Sequence, residues 1–324
     1  MEAYARLAER YRTFATDEAQ SVSPIYEQLT RDIADSADVL RFLMSLPTDR
    51  HQPNLLLAAA TLILNRPPDI ALLTGMVARR ADELRATMLS RTTQTNEPAR
   101  CAVLLPLLAA LPQPLALIEV GASAGLCLLP DRYGYDWGRE RIVPVHPDAP
   151  VFHCDVTDPL SLPTALPRVV WRAGLDLNPL DVASDQDVAW LRALIWPEQD
   201  DRRRTLQAAL TVARREPPRV VRGDLLSDLV PLMAEAPVDA TLVVFHSAVL
   251  AYVTPPEQRL SFVDAVRRSR ATWISNEHAG VFPHIRARAP KPAPRNRFLL
   301  SVDGEPKAWT GPHGQSLEWF AAGS

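Results

Sequence analysis

Polar residues with chemical potential occur at regular intervals along the second part of the chain, each at the end of an apolar run. Glu119 ends the first run, and Asp176, Asp224 and His246 follow the next three. Carboxylates only accept hydrogen bonds, so they suit ligands rich in hydroxyl and amine donors, and a histidine can take up a proton near neutral pH. A fifth run ends in Asn-Glu-His at 276–278. The series predicts one binding edge, although a single aspartate could equally cap a helix.

The residues between the first run and the next apolar segment are all small, and they are compatible with two kinds of chemistry. Gly121-Ala-Ser123-Ala-Gly125 matches G-x-S-x-G, the nucleophile elbow of α/β-hydrolases. In that interpretation Ser123 attacks, with Asp224 or Asp239 as the acid and His278 or His313 as the base. The same letters are compatible with a cofactor-binding loop, in which the backbone N–H groups of a following helix converge on a ligand.

The elements that must position these residues indicate an α/β protein with a doubly wound, Rossmann-like, mostly parallel sheet of seven strands. Residues 1–112 are predicted to be helical throughout, forming a lid or substrate-side region. Residues 113–324 form the sheet domain, with an insertion at about 130–167 that contains a small hairpin near Arg141–Val145. The predicted strands are 115–120, 168–173, 219–222, 241–245, 272–275, 297–302 and 315–320. The last two are expected to pair as an antiparallel hairpin around Asp303-Gly304.

Composition excludes several classes of function. A net charge of −3 offers no basis for binding nucleic acid. The longest apolar runs are too short to cross a bilayer, and no secretory signal is expected at the N-terminus. Three cysteines without a C-x-x-C pair predict a reduced, cytoplasmic protein, and the seven histidines show no metal-ligand spacing. The basic segment 284–297 is either a solvated linker or a lid over an anionic substrate.

Four of the motifs together resemble those of class I S-adenosylmethionine-dependent methyltransferases. Ile118–Gly125 is similar to the loop that takes the methionine moiety, and Gly174–Pro179 resembles the second-strand motif whose acid binds the ribose. Arg222–Leu225 resembles the motif at the adenine, and Val243–Val253 resembles the fourth strand with its helix. The resemblance implies the cofactor S-adenosylmethionine, held by Glu119, Gly121, Ser123, Gly125, Asp176, Asp224 and Leu225.

A narrower resemblance covers nearly the whole chain. GASAGL, DRYGYD, DLNPLDV, WPEQ, GDLL and FHSAVLAY are together similar to an uncharacterised bacterial domain-of-unknown-function family, as are Asn96, Glu97 and Arg100 in the helical region. This family supplies no established activity. Asn96, Glu97 and Arg100 are interpreted either as a roof over an acceptor pocket or as ordinary solvent-facing helix residues.

Methyl transfer to an unidentified acceptor, expected to be a small molecule, is the function that the resemblance implies. His246 is expected to be the base, because the fourth strand ends nearest the methyl group in this fold. Glu277 and His278 are the second choices, and Tyr252 is a possible orienting residue. The alternatives are a serine hydrolase that uses Ser123 and a non-catalytic binding protein that keeps the fold. The sequence does not indicate an oligomeric state.

Overall fold

The computed structural model describes residues 2–94, 96–157, 161–290 and 296–320. The α-helices in chain order are α1 Glu2–Phe14, α2 Pro24–Asp35, α3 Ala37–Met44, α4 Pro53–Leu64, α5 Ile70–Arg79, α6 Ala81–Ser90, α7 Cys101–Ala110, α8 Asp185–Ala193, α9 Asp200–Arg215, α10 Leu229–Ala234, α11 Glu257–Arg267 and α12 Pro283–Arg286. The strands are β1 Leu115–Val120, β2 Gly134–Asp136, β3 Arg141–Ile142, β4 Val151–His153, β5 Asp155–Thr157, β6 Val169–Asp176, β7 Val220–Arg222, β8 Thr241–Ser247, β9 Thr272–His278, β10 Phe298–Val302, β11 Glu305–Thr310 and β12 Ser316–Trp319.

The chain folds into two compact units, and their boundaries differ from the predicted boundary at residue 112. The first unit contains residues up to 95 together with 183–204, and the second contains 96–182 and 205–324. Helix α7 belongs to the second unit because it is apolar on all sides and almost entirely buried there. The all-helical character predicted for the N-terminal part is observed in α1–α7.

The first unit is a helical bundle that includes the WPEQ motif. Trp196 lies against the rings of Phe14 and Tyr26, and its indole N–H donates to Asn54 Oδ1 at 3.0 Å. Glu198 accepts the backbone N–H of Ile25, one of the N–H groups at the start of α2 that have no partner within the helix. These contacts give the motif a structural role within this unit.

The second unit is built around a nine-stranded sheet in the order β5-β12-β11-β10-β9-β8-β1-β6-β7. Strands β7, β6, β1, β8 and β9 are parallel neighbours, and β10, β11 and β12 continue the sheet in antiparallel pairs. Strand β1 is central and all six of its residues are buried, which explains its continuous apolar run. After β1 the chain forms β2–β4 and then β5 at the far edge of the sheet before it enters β6. Strands β6 and β7 lie on one side of β1, and the following parallel strands β8 and β9 lie on the other, so the strand order reverses between β1 and β8.

All seven predicted strands are present and the C-terminal strands are antiparallel, as expected, but the count of seven and the predicted pairing of the last two strands were wrong. The turn at Asp303-Gly304 leads from β10 into β11, which the sequence analysis missed, and β12 pairs with β11 instead of β10. Strand β5, which comes from the insertion, adds the ninth strand beside β12. The predicted hairpin in the insertion is confirmed as the antiparallel pair of β2 and β3, in a separate three-stranded sheet with β4.

Candidate functional site

The small-residue loop after β1 has a backbone that requires glycine at its first position. Gly121 and Gly125 both have a φ of +72°, and Ser123 has +53°. A Cβ atom on Gly121 would lie 2.3 Å from Val249 Cγ2, so the segment after β8 packs directly on the loop. Within the loop only Gly121 is partly exposed, and Ala122–Gly125 are buried. The loop is therefore a packed part of the second unit.

The segment after the loop is a single 3-10 turn, Leu126–Leu128, so the predicted helix was wrong. Every residue from 122 to 131 is buried, and such a segment has no solvent-facing side for an amphipathic helix. Side chains of the DRYGYD motif satisfy its carbonyl groups instead. The Tyr133 hydroxyl donates to Leu126 O at 2.8 Å, and the Tyr135 hydroxyl donates to Pro130 O at 2.6 Å.

Backbone N–H groups of the loop donate hydrogen bonds to acceptors within the protein. Ser123 N donates to Asp176 Oδ2 at 2.7 Å, and Leu126 N donates to the side-chain oxygen of Asn96 at 3.1 Å. Gly121 N and Ala122 N both donate to Leu175 O. The expected convergence of these N–H groups on a cofactor is not observed, and Ser123, one of the residues expected to hold the cofactor, donates its N–H to Asp176 instead.

Glu119 is a buried carboxyl group at the end of β1. It is 4 % exposed, and its Oε2 atom has no hydrogen-bond partner within the described part of the chain. Burial raises the pKa of Glu119 well above its usual value, the Cys127 thiol and Asp176 raise it further, and Arg100 opposes them. Glu119 is therefore held in its uncharged form at pH values where an exposed glutamate is ionised.

Replacing Glu119 by glutamine is expected to remove one pH dependence of stability. With a raised pKa in the folded state, Glu119 binds more protons there than in the unfolded chain, so the wild type loses stability as pH rises above about 4.5. The difference in free energy of unfolding between Glu119→Gln and wild type should grow by about 1.4 kcal/mol per pH unit until the folded group ionises. Urea titrations between about pH 5 and pH 8 measure it. Glu318→Gln, at an exposed position on β12, is the control, and parallel curves for Glu119→Gln and wild type would contradict the expectation.

Asp176 and Asp224 lie where β6 and the turn after β7 reach the carboxyl edge of the parallel strands, and both are partly exposed. Asp176 Oδ1 accepts Asn178 N, and Asp224 Oδ1 accepts Leu226 N, each at 2.7 Å. Each aspartate thus shapes the turn in which it lies. Leu225, the residue after Asp224 in the predicted cofactor set, is half-buried and packs against the apolar core.

His246 lies in the core rather than in an open site. Its ring is 0 % exposed, Trp273 Nε1 donates to its Nε2 at 2.9 Å, and its Nδ1 lies 2.7 Å from Glu277 Oε1. Because an indole N–H can only donate, Nε2 must be the unprotonated nitrogen and Nδ1 carries the proton. Both nitrogens are therefore engaged, and the geometry does not support His246 as the base.

Glu119 and His246, which the sequence analysis assigned to one site, lie on opposite faces of the sheet. Glu119 is in register with Phe245 on β8, whereas His246 is in register with Val120. Residues in register on neighbouring strands face the same side, and successive residues alternate. Both residues lie at strand ends, but the sequence alone does not show that their register positions differ by one residue and that they therefore face opposite sides.

Glu277 holds the segment after β8. Its Oε1 accepts Val249 N at 3.0 Å and Leu250 N at 3.1 Å besides facing His246. Its Oε2 is buried without a hydrogen-bond partner in the described residues, and Glu277 lines a cavity of about 10 Å³ together with Ser275 and Ser301. That volume is close to the minimum for one water molecule. Glu277 is thus a positioning residue for Val249, which packs on Gly121.

The two other proposed catalytic residues are exposed. His278 Nδ1 accepts the backbone N–H of Gly280 at 3.1 Å, which is a local turn contact. The Tyr252 side chain is 65 % exposed, in the segment after β8. The structure therefore does not bring His278 and Tyr252 together with His246.

A buried turn at Asn96–Arg100, to which the sequence analysis gave only an uncertain role, connects the loop to the other half of the edge. Asn96 donates to Ala122 O, and Arg100, only 5 % exposed, donates to Ser247 O at the end of β8 and to Pro312 O after β11. Asn276 then donates to the Ser247 hydroxyl. The sequence signal that could have indicated this turn was the run of polar residues directly before the apolar helix α7.

The hydrolase alternative lacks an assembled triad. Ser123 is 3 % exposed, and its Oγ makes no hydrogen bond within residues 2–94, 96–157, 161–290 and 296–320. Asp239 precedes β8 and so lies at the opposite edge of the parallel strands from Asp224. A nucleophilic serine needs a base within hydrogen-bond reach, and the structure does not provide one.

Part of the basic segment 284–297 is structurally defined. Arg288 pairs with Glu305 at 2.6 Å, and Arg297 donates to the Ser316 hydroxyl, while Lys291 and Arg295 lie outside the described residues. In the described ranges, no group of three or more His, Cys, Asp or Glu side chains is arranged to hold a metal ion. None of the helices in those ranges has the length and apolarity to cross a membrane.

Comparison with known proteins gives one match. Residues 8–319 match the family described as "Uncharacterized protein conserved in bacteria (DUF2332)", which confirms the resemblance to an uncharacterised bacterial family. No curated protein and no solved structure matched the chain.

Proposed function

We propose that this chain, which belongs to the bacterial family DUF2332, binds S-adenosylmethionine and transfers its methyl group to a small-molecule acceptor. In this proposal the parallel block β7-β6-β1-β8-β9 is Rossmann-like. The ligand lies at the carboxyl ends of its strands, near the point between β1 and β8 where the strand order reverses. Ligands of doubly wound sheets bind at such a point.

The observation that carries the proposal is an apolar rim around two carboxylates. Leu177, Leu226 and Tyr252 are large apolar side chains that are 68 %, 39 % and 65 % exposed. They follow β6, β7 and β8, and Leu177 and Leu226 belong to the turns of Asp176 and Asp224. Exposed apolar groups beside a few polar ones are typical of a small-molecule site, because the apolar groups cover a flat ring and the polar groups orient it.

The donor set has the chemistry that the cofactor needs. Asp176 and Asp224 would accept the ribose hydroxyls and the adenine amino group, and their charge suits a sulfonium cation. Bound there, S-adenosylmethionine supplies an electrophilic methyl group. The contribution of the chain is to orient the ligand and to exclude water, for which the packed loop at Gly121 and the Glu277 contacts provide a rigid floor.

Asp224→Asn tests the proposal. Asparagine keeps the side-chain oxygen that accepts Leu226 N, so the turn should persist while the charge is lost. Calorimetry should show S-adenosylhomocysteine binding to wild type and about tenfold weaker binding to the variant. Asp239→Asn, an exposed aspartate before β8, is the matched control and should bind like wild type. No binding to wild type at millimolar ligand would exclude the proposal.

A further inference from the structure

The loop Gly311–Gln315, between β11 and β12, is fixed on the Asn96–Arg100 turn. Gly314 has a φ of +79°, and a Cβ atom there would lie 2.1 Å from Ala99 O. Arg100 Nε donates to Pro312 O at 2.8 Å, and Gln315 Oε1 accepts His313 N at 2.9 Å. The backbone that carries His313 is thus held from both sides.

His313 and Glu97 form a pair in which the carboxyl group is buried and the imidazole is partly exposed. The Nδ1 atom of His313 is buried and lies 3.6 Å from Glu97 Oε2. Glu97 is 4 % exposed, whereas the His313 side chain is 38 % exposed. A carboxylate beside one ring nitrogen orients an imidazole for proton transfer.

This pair lies at the half of the edge opposite to the proposed cofactor carboxylates. Arg100, three residues after Glu97, donates to Ser247 O at the end of β8. Thr310, just before the His313 loop, donates to Asn276 on β9 at 2.7 Å. The pair is therefore tied to β8 and β9, on one side of β1, whereas Asp176 and Asp224 follow β6 and β7 on the other.

We propose that His313, oriented by Glu97, is the general base that takes the proton from an acceptor hydroxyl or amine. This inference rests on the proposed function and gives the acceptor class as a molecule with an ionisable O–H or N–H group. The O–H or N–H bond would break, with its proton going to the imidazole nitrogen and its electron pair forming the new bond to the methyl carbon. The bond between that carbon and the sulfonium sulfur would break at the same time, and its electron pair would stay on the sulfur of the departing S-adenosylhomocysteine. The imidazolium then returns the proton to water. His313 replaces His246 in this role.

Diethyl pyrocarbonate, which modifies unprotonated imidazoles, tests the pair without any acceptor. Within the described residues, Glu97 faces the His313 ring, and Arg100 and Arg297 bind positions next to it, at Pro312 and at Ser316 just after its loop. Loss of the Glu97 charge should lower the pH midpoint of His313 modification by about one pH unit in Glu97→Gln. Peptide mass spectrometry measures it in the full chain. Glu318→Gln, the same change on neighbouring β12, should not move the midpoint, and the exposed His278 is the internal reference.

The outcomes separate this inference from the proposed function. An unchanged midpoint in Glu97→Gln, or no modification of His313, overturns the inference even when S-adenosylhomocysteine binds. A shifted midpoint without ligand binding supports the pair but excludes the methyl-transfer role. If Glu97→Gln does not fold, Glu97→Asp keeps the charge but moves it away from the ring, and its midpoint must also fall.

Discussion

Replacing Glu277 by alanine is expected to lower the free energy of unfolding by about 3–5 kcal/mol, because the variant removes the acceptor of two buried donors and one partly buried donor. His246 Nδ1, Val249 N and Leu250 N all face Glu277 Oε1 at 2.7–3.1 Å. Water cannot easily replace the carboxylate, since His246 is 0 % exposed and Leu250 is also fully buried. The loss should include the packing of Val249 on Gly121.

Urea titration at neutral pH measures this effect. Glu277→Gln keeps one side-chain oxygen and should lose clearly less stability than Glu277→Ala. Glu257→Ala, at an exposed position on α11, should leave the urea midpoint unchanged. A loss below about 1 kcal/mol in Glu277→Ala would mean that Glu277 does not hold this segment.

Asp131→Ala should be destabilised by a similar amount, about 3–5 kcal/mol, for an electrostatic reason. Asp131 is 4 % exposed, and its two carboxylate oxygens accept Arg172 Nη1 and Nη2 at 2.8 and 2.9 Å. Arg132 also donates to it. Without the carboxylate, Arg172, whose side chain is 16 % exposed, keeps a charge that water solvates poorly.

The chain offers a matched control for Asp131. Asp148 forms a similar two-pronged pair with Arg215, but both side chains are nearly half exposed. Exposed pairs gain little from their mutual attraction, because water screens it. Asp148→Ala should shift the urea midpoint far less than Asp131→Ala, and equal shifts in the two variants would contradict the proposed role of burial.

The strands of the second unit were predictable because most are short apolar runs bounded by turn residues. Strand β11 was missed because Glu305–Thr310 contains Pro306 and Lys307, which are depleted in strands. It forms beside β10 with a register shift between Leu300 and Ser301. The pairing of β12 with β11 could not follow once β11 itself had been missed.

The edge that carries the candidate residues was predictable from the sequence, whereas the contacts of these residues were not. Strand ends at one edge follow from parallel pairing, which brought Asp176 and Asp224 to that edge. The burial of His246 depends on Trp273 and Glu277, which lie on the neighbouring strand β9. The Glu97–His313 pair joins residues more than two hundred positions apart, and no local pattern in the sequence indicates it.

A crystal structure of the full chain grown with S-adenosylhomocysteine tests the proposed binding edge most directly. The expected result is ligand density at the carboxyl ends of β1, β6 and β7, with the ribose hydroxyls on Asp176 and the adenine amino group on Asp224. Ligand density elsewhere, or none at this edge at a saturating concentration, would contradict the proposed function.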